Sequence, residues 1–170
     1  MGVSLVFKDM TIKSHKGRYT VKFCPNLHEL IEKVETKKSH IIVDWKVYKI
    51  YQNLLNKLYN KNEFLIIKSN EKNKSLEKMS SYVDFLVKNK IRRSDQLIAI
   101  GGGIIQDITC FLSATLLRGV DWYFIPTTLL AQADSCIGSK SSINCNGVKN
   151  ILGTFTPPKK IFVCPEFLST

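Results

Sequence analysis

Three consecutive glycines, Gly101-Gly102-Gly103, follow the apolar run Gln96–Ile100 and open onto a helical pattern. Backbone without Cβ atoms lets a bulky ligand approach closely. The N–H groups of such a turn, with a helix N-terminus behind them, suit a pyrophosphate. The strict dinucleotide spacing G-x-G-x-x-G requires glycine at 106, where this chain has Gln106. Taken alone, the turn therefore also reads as a tight strand–helix connection with no ligand. Asp107 is open in the same way, since an acid in a first helical turn is favoured by the helix dipole without any ligand. Farther along stand Arg118-Gly119, Thr127-Thr128 after Pro126, Asp134, Lys140, Asn144 and Lys149-Asn150. Singly, the lysines and Asp134 read as solvated surface charges and the threonines as a helix cap. Only their joint order carries weight.

The elements that must position these residues alternate between the two periodicities. Val3–Phe7 and Tyr19–Phe23 alternate apolar and polar side chains, which suits an antiparallel pair at a sheet edge. Leu27–Val34 has a helical period, His40–Val43 is a short buried strand ending at Asp44, and Val47–Tyr59 is an amphipathic helix. Phe64–Ile67 reads as a strand, Ser75–Val87 as a helix, and Gln96–Ile100 as a strand running into the glycines. Strands and helices alternating at this spacing imply crossover connections and a parallel sheet covered on both faces. Such sheets bind ligands at the carboxyl ends of their strands, where the glycines sit.

Read as one string, residues 101–158 resemble the 3-dehydroquinate synthases nearly end to end. The elements that carry the resemblance are Gly101–Gly103, Asp107, Arg118-Gly119, Pro126–Leu130, Asp134, Gly138 with Lys140, Asn144, and Lys149-Asn150. The upstream half fits more loosely, through Asp44 after a strand and Asn70-Glu71 with Lys74-Ser75. The resemblance implies an α/β, Rossmann-like parallel sheet with flanking helices and an N-terminal antiparallel strand pair. It also implies a sugar-phosphate cyclase reaction on 3-deoxy-D-arabino-heptulosonate 7-phosphate. Bound NAD transiently oxidises one alcohol, phosphate is eliminated, the hydride returns, and an intramolecular aldol step closes the ring. A divalent metal, usually zinc, polarises the reacting alcohol.

By that resemblance Asp44, Glu71, Lys74, Gly102, Gly103, Asp107, Thr127 and Thr128 hold the cofactor. Asp134, Lys140, Lys149 and Asn150 face the substrate and the nicotinamide side, the two lysines acting as point charges for phosphate and carboxylate. Arg118 resembles an arginine that reaches a substrate phosphate across a dimer interface, which implies a homodimer. Three positions depart from the pattern. Gln106 stands where a small residue is usual, Thr109-Cys110 where Ala-Gly is usual, and Ser139 where a second glycine precedes the lysine. Gln106 is expected either to crowd the pyrophosphate or to donate an amide to it. These departures bear on the substrate more than on the fold, because cyclases of other sugar phosphates and glycerol-dehydrogenase-like enzymes share the framework. The segment from Lys140 to Asn150 favours a cyclase.

The family continues into a mostly helical domain that brings a Glu and two His as metal ligands, and this sequence reaches only Thr170. Residues 1–164 are therefore expected to form the NAD-binding domain and 165–170 the start of the helical one. Zinc or another divalent metal is expected only with that second domain, joined in cis or in trans. No metal site is expected within these residues, and no turnover from them alone.

The bulk numbers exclude other classes. A chain of 170 residues with 44% apolar content suits one domain with a real core. No apolar run approaches the about 18 residues that span a bilayer. The opening MGVSLVFKDM lacks a secretory pattern, and Val6 stands where a myristoylation signal has Ser or Thr. A cytoplasmic protein is expected. The five cysteines include no CxxC pair and read as reduced, buried small hydrophobes. The net charge of +11 comes almost wholly from residues 1–95, since residues 96–170 hold five basic and four acidic side chains. Those upstream lysines lie among Glu, Asn and Ser with no stacking aromatics, so specific nucleic-acid binding is not expected. A basic, non-catalytic binding module on the same fold is the rival reading.

Overall fold

The computed structural model describes residues 8–34, 38–58 and 64–169. An antiparallel hairpin comes first, β1 (Met10–Ser14) with β2 (Gly17–Phe23), turning at Gly17 with φ 106°. The expected edge pair exists, but the partner of β2 is Met10–Ser14; Val3–Phe7 lies outside the described residues. Helix α1 (Leu27–Lys33) is capped by Asn26, whose Oδ1 accepts from the Glu29 N–H at 2.9 Å. Then β3 (Ser39–Asp44), α2 (Trp45–Leu58), β4 (Leu65–Ile67), α3 (Leu76–Lys88) and β5 (Gln96–Gly101) follow close to the periodicity reading. Helix α4 (Gly103–Thr115) fills the helical pattern after the glycines, and β6 (Asp121–Pro126) is a strand that reading did not mark. A second hairpin, β7 (Lys140–Cys145) with β8 (Val148–Phe155), precedes the last strand, β9 (Lys160–Val163).

Seven strands form one sheet in the order β1-β2-β9-β6-β5-β3-β4, and every pair except β1–β2 is parallel. Strand side chains alternate between faces, so β5 feeds two separate cores. Leu97 and Ala99 join the one covered by α3 and α4, with Met79, Leu86, Ile105 and Leu112. Ile98 and Ile100 join the other, covered by α1 and α2 through Leu27, Leu30 and Leu55. Burial on both faces is why β5 is an unbroken apolar run rather than an alternating one. Pro165–Ser169 folds back as a short 3-10 turn, with Phe167 buried edge-on against Tyr51 and Glu166 Oε2 accepting from the Leu27 N–H at 2.7 Å.

From β3 the chain crosses to β4 on one side, whereas from β5 it crosses to β6 on the other. The sheet therefore changes winding direction between β3 and β5, and their carboxyl ends, Asp44 and Gly101, flank the crevice this creates.

The β7–β8 hairpin turns at Asn146-Gly147, both with positive φ (49° and 78°), the conformation a two-residue hairpin loop requires. Asp134 is carried on one π turn, Ala131–Ser135, in which the Cys136 N–H donates to Ala131 O at 3.0 Å. All five cysteines are free, and all but Cys145 are buried.

Gly153 of β8 packs so closely that an added Cβ would overlap the Ser141 carbonyl oxygen, whereas one added at Gly103 meets nothing within 4 Å. Gly153→Ala is expected to lower unfolding stability by about 1–3 kcal/mol in urea titrations. Gly103→Ala should stay within about 0.5 kcal/mol of wild type. Equal stabilities for the two variants would contradict the hairpin register.

Candidate nucleotide site

The crevice between β3 and β5 opens into a cleft of about 610 Å³, lined among others by Asp44, Trp45, Lys68, Gly102, Gly103 and Thr128. Asp44 is buried at the end of β3, and its Oδ1 accepts from the N–H groups of Lys46 (2.7 Å) and Val47 (3.2 Å). That contact caps α2 and fixes the carboxylate at the cleft wall. Across the cleft the Thr127 N–H donates to Gly101 O at 3.0 Å, tying the end of β6 to the end of β5. Thr128 does cap the following turn, its Oγ1 accepting from the Ala131 N–H at 3.2 Å, and it also presses on Gly102. A Cβ at Gly102 would stand 3.0 Å from Thr128 Cγ2 and 3.2 Å from Oγ1, so the glycine there has a packing reason of its own. The first N–H groups of any helix lack carbonyl partners, and at α4 Gly102 brings no side chain to cap them. The cleft floor is thus a row of bare donors at the positive end of a helix, an arrangement suited to a phosphate.

Beside this cleft lies a polar node built around Lys74, whose side chain is 7% exposed. Its Nζ donates to Asp107 Oδ2 at 3.2 Å and to Asn150 Oδ1 at 2.9 Å, and lies 3.7 Å from Glu71 Oε1. Asp107 also accepts from the Ser142 N–H (3.0 Å) and Ser142 Oγ (3.1 Å). Burial raises the Asp107 pKa above the ordinary carboxylate value, against the opposing pull of Lys74 and Ser142. Asn144 completes the node. Its amide donates to Glu71 O (3.1 Å) and Glu71 Oε2 (2.8 Å), and its Oδ1 accepts from the Asn150 N–H at 2.9 Å. The Asn144 bond is the main cause that holds the Glu71 carboxyl below its usual range, with Lys74 and Lys149 adding to it.

The structure closes one open reading and corrects one expectation. Asp107 is not a first-turn acid: no acid lies in the first turn of α4, and its carboxylate reaches the β7–β8 hairpin. Gln106 neither crowds the cleft nor donates into it. Its amide is spent on Ser135, with Nε2 donating to Ser135 O at 2.6 Å and Oε1 accepting from Ser135 Oγ at 3.0 Å.

The structure thus gathers Asp44, Gly102, Gly103, Thr127 and Thr128 at one cleft, and Glu71, Lys74, Asp107 and Asn150 at the adjoining node. Lys140 lines a shallow opening of about 380 Å³ with Asp107 and Asn150, and Lys149 stands exposed near Glu71. Asp134 is exposed on the π turn, with no side-chain bond among the described residues. Arg118 lies elsewhere. It sits just before the amino end of β6, about 17 Å of strand away from the glycine end, in a separate cavity with Lys16, Arg18 and Lys159. Leu117 and Arg118 both take left-handed φ (50° and 63°), a backbone state uncommon for residues other than glycine and asparagine. Sequence reasoning missed Ser142, Trp45 and Lys68. The first was detectable, because Asn146-Gly147 marks a hairpin that brings Ser142 back onto α4.

A family model described as 3-dehydroquinate synthase N-terminal matches residues 64–170. The chain belongs to the 3-dehydroquinate synthase family. A 3-dehydroquinate synthase of Clostridium tetani is 39% identical over 163 residues, covering 91% of this chain and 43% of that protein. The chain thus spans less than half the length of that curated relative. In fold, it is similar to a 2-deoxy-scyllo-inosose synthase complexed with carbaglucose-6-phosphate, NAD+ and Co2+ (TM-score 0.84, 21% identity, 95% of this chain and 47% of that one). It is also similar to the 2-epi-5-epi-valiolone synthase of Streptomyces hygroscopicus with NAD+ and Zn2+ bound (TM-score 0.78, 26% identity, 89% of this chain and 44% of that one).

Removing one partner of a buried ion pair strands the other, whereas removing both need not destabilise. Lys74→Met is therefore expected to cost about 3 kcal/mol, and Lys74→Met with Asp107→Leu markedly less than the sum of the single changes. A double-mutant cycle by chemical denaturation measures this, and strict additivity would show that the pair is not coupled.

Proposed function

We propose that this chain is the NAD-binding part of a 3-dehydroquinate synthase, a sugar-phosphate cyclase acting on 3-deoxy-D-arabino-heptulosonate 7-phosphate. One observation carries the reading: the uncapped start of α4, the glycine turn and Asp44 meet in one cleft at the sheet's switch point. In this reading the backbone donors of Gly102, Gly103 and the first turn of α4 take the pyrophosphate. The free oxygen of Asp44 accepts from a ribose hydroxyl, and Thr127 and Thr128 close the other wall. When bound, NAD supplies a reversible hydride acceptor and leaves unchanged. Lys74 and Asp107 hold the hairpin at the inner end of the cleft. Asn150, Lys140 and Lys149 present an amide and two cations toward the phosphate and carboxylate of the substrate, and Asp134 faces the nicotinamide side. Arg118, at the opposite end of β6, serves the substrate phosphate of a partner subunit in a homodimer.

Among the described residues, no three His, Cys, Asp or Glu side chains come together so as to hold a metal ion. A second substrate reading, another sugar phosphate, is favoured by Ser139 beside Lys140, which places a hydroxyl next to a substrate-facing cation. The work is proposed to take place in the cytoplasm. No described helix is long and apolar enough to cross a membrane.

Calorimetry of the chain with NAD tests the cofactor assignment. Gly103→Val adds its side chain in open space at the cleft and should weaken NAD by about tenfold or more, roughly 1.4 kcal/mol. Unchanged affinity would refute the pyrophosphate assignment. Tight, salt-sensitive binding of a DNA oligomer without NAD binding would favour the basic-module reading instead. In the complete enzyme, Lys140→Ala or Lys149→Ala should raise the substrate KM by about ten- to a hundredfold, the 1.5–3 kcal/mol of a charge-assisted contact. NAD affinity should stay within a few-fold. Wild-type kinetics would return that lysine to the solvated surface.

A further inference from the structure

The second turn of α4 faces two ways. Asp107 looks to the β7–β8 hairpin, while Gln106, only 6% exposed, looks to the π turn Ala131–Ser135. Both ends of the Gln106 amide engage Ser135, the donor on its carbonyl and the acceptor on its hydroxyl. On the other flank, Gln132 Nε2 donates to Pro126 O (3.1 Å) and Cys164 O (2.9 Å). A π turn is an uncommon backbone state, rarely more than one turn long, and outside contacts help to hold it. Here it is latched on both sides. Asp134 sits between the latches, exposed and without a side-chain partner of its own among the described residues, so its direction is set by the backbone that carries it.

We propose that Gln106 is a positioning residue: acting through Ser135, it fixes the π turn so that Asp134 meets the nicotinamide end of the bound dinucleotide, and it leaves the adenosine end alone. The proposal rests on the reading of Asp134 given above. It assigns a role to the residue by which this chain departs from the small side chain usual at that place. The latch needs a donor and an acceptor on one buried side chain. An ionised Glu there accepts only and would face the Ser135 carbonyl oxygen, whereas a protonated Glu both donates and accepts.

The test compares NAD with ADP-ribose, which shares everything but the nicotinamide, by calorimetry on the whole chain. Gln106→Ala should weaken NAD by about tenfold, the scale of a lost pair of hydrogen bonds, and ADP-ribose by less than about twofold. Ser135→Ala, which keeps the carbonyl contact, should give a smaller loss, about two- to threefold for NAD. Gln106→Glu should resemble Gln106→Ala near about pH 8 and recover toward wild type near about pH 5.5, as the buried carboxyl takes up its proton. Equal weakening of both ligands, or of neither, overturns the proposal, because a purely structural role does not distinguish the nicotinamide. No NAD binding by the wild-type chain would bring down the cofactor reading itself and the proposal with it.

Discussion

A buried ammonium has to be surrounded by acceptors, and the arrangement of this protein around Lys74 follows from that requirement. Its partners come from three places in the sequence: Asp107 from α4, Asn150 from β8 and Glu71 from its own loop. Each partner is itself held, Asp107 by Ser142 and Glu71 by Asn144, so the β4–α3 loop, the helix and the hairpin are fixed relative to one another. Desolvation of such a group is expensive, and an ion pair of this kind offers little net stability over an apolar substitute. What it contributes is placement. The hairpin carries Lys140, Lys149 and Asn150, and the node adds to the Cys110 contacts with Thr154 and Thr156 in fixing it against α4.

The same helix serves the other half of the site by different physics. Its amino end, left bare by Gly102, presents dipole and donors to the cleft, and no charged side chain is needed there. One turn later Gln106 and Asp107, adjacent in sequence and about 100° apart around the axis, hold the π turn and the hairpin respectively. A single helix thereby sets the distance between the donor-lined floor of the cleft and two walls. The sheet behind it supplies rigidity, since β5 and β6 are buried on both faces and joined through Gly101 and Pro126 at the ends that matter.

Much of this was legible in the sequence, for identifiable reasons. The strands β3 and β5 are unbroken apolar runs, α2 and α3 are amphipathic, and the glycine triplet marks a strand end, so the sheet and its ligand edge could be read directly. Asp44 was readable as the last residue of a strand. The hairpin β7–β8 is less legible, because β8 is mostly exposed and lacks a buried apolar run, and only Asn146-Gly147, whose positive φ values define its turn, marks it. Met10–Ser14 escaped because its side chains are mostly polar and, at the sheet edge, mostly exposed. Gln106 was misdirected for a different reason. Proximity in sequence to a glycine turn does not fix the side-chain direction, and on a helix the fourth position points to a different neighbour. The place of Arg118, at the far end of β6, depends on topology that no local pattern records.

A dinucleotide lying across the amino end of α4 would shift the backbone amides that it touches, residue by residue. In a two-dimensional nitrogen–proton NMR titration of the chain with NAD, the amides of Gly102, Gly103, Ile104 and Thr128 should shift most. Those of Arg18, Arg118 and Asp121, at the opposite end of the sheet, should stay in place. Shifts centred on the Arg118 end, or none at saturating NAD, would contradict that placement of the dinucleotide.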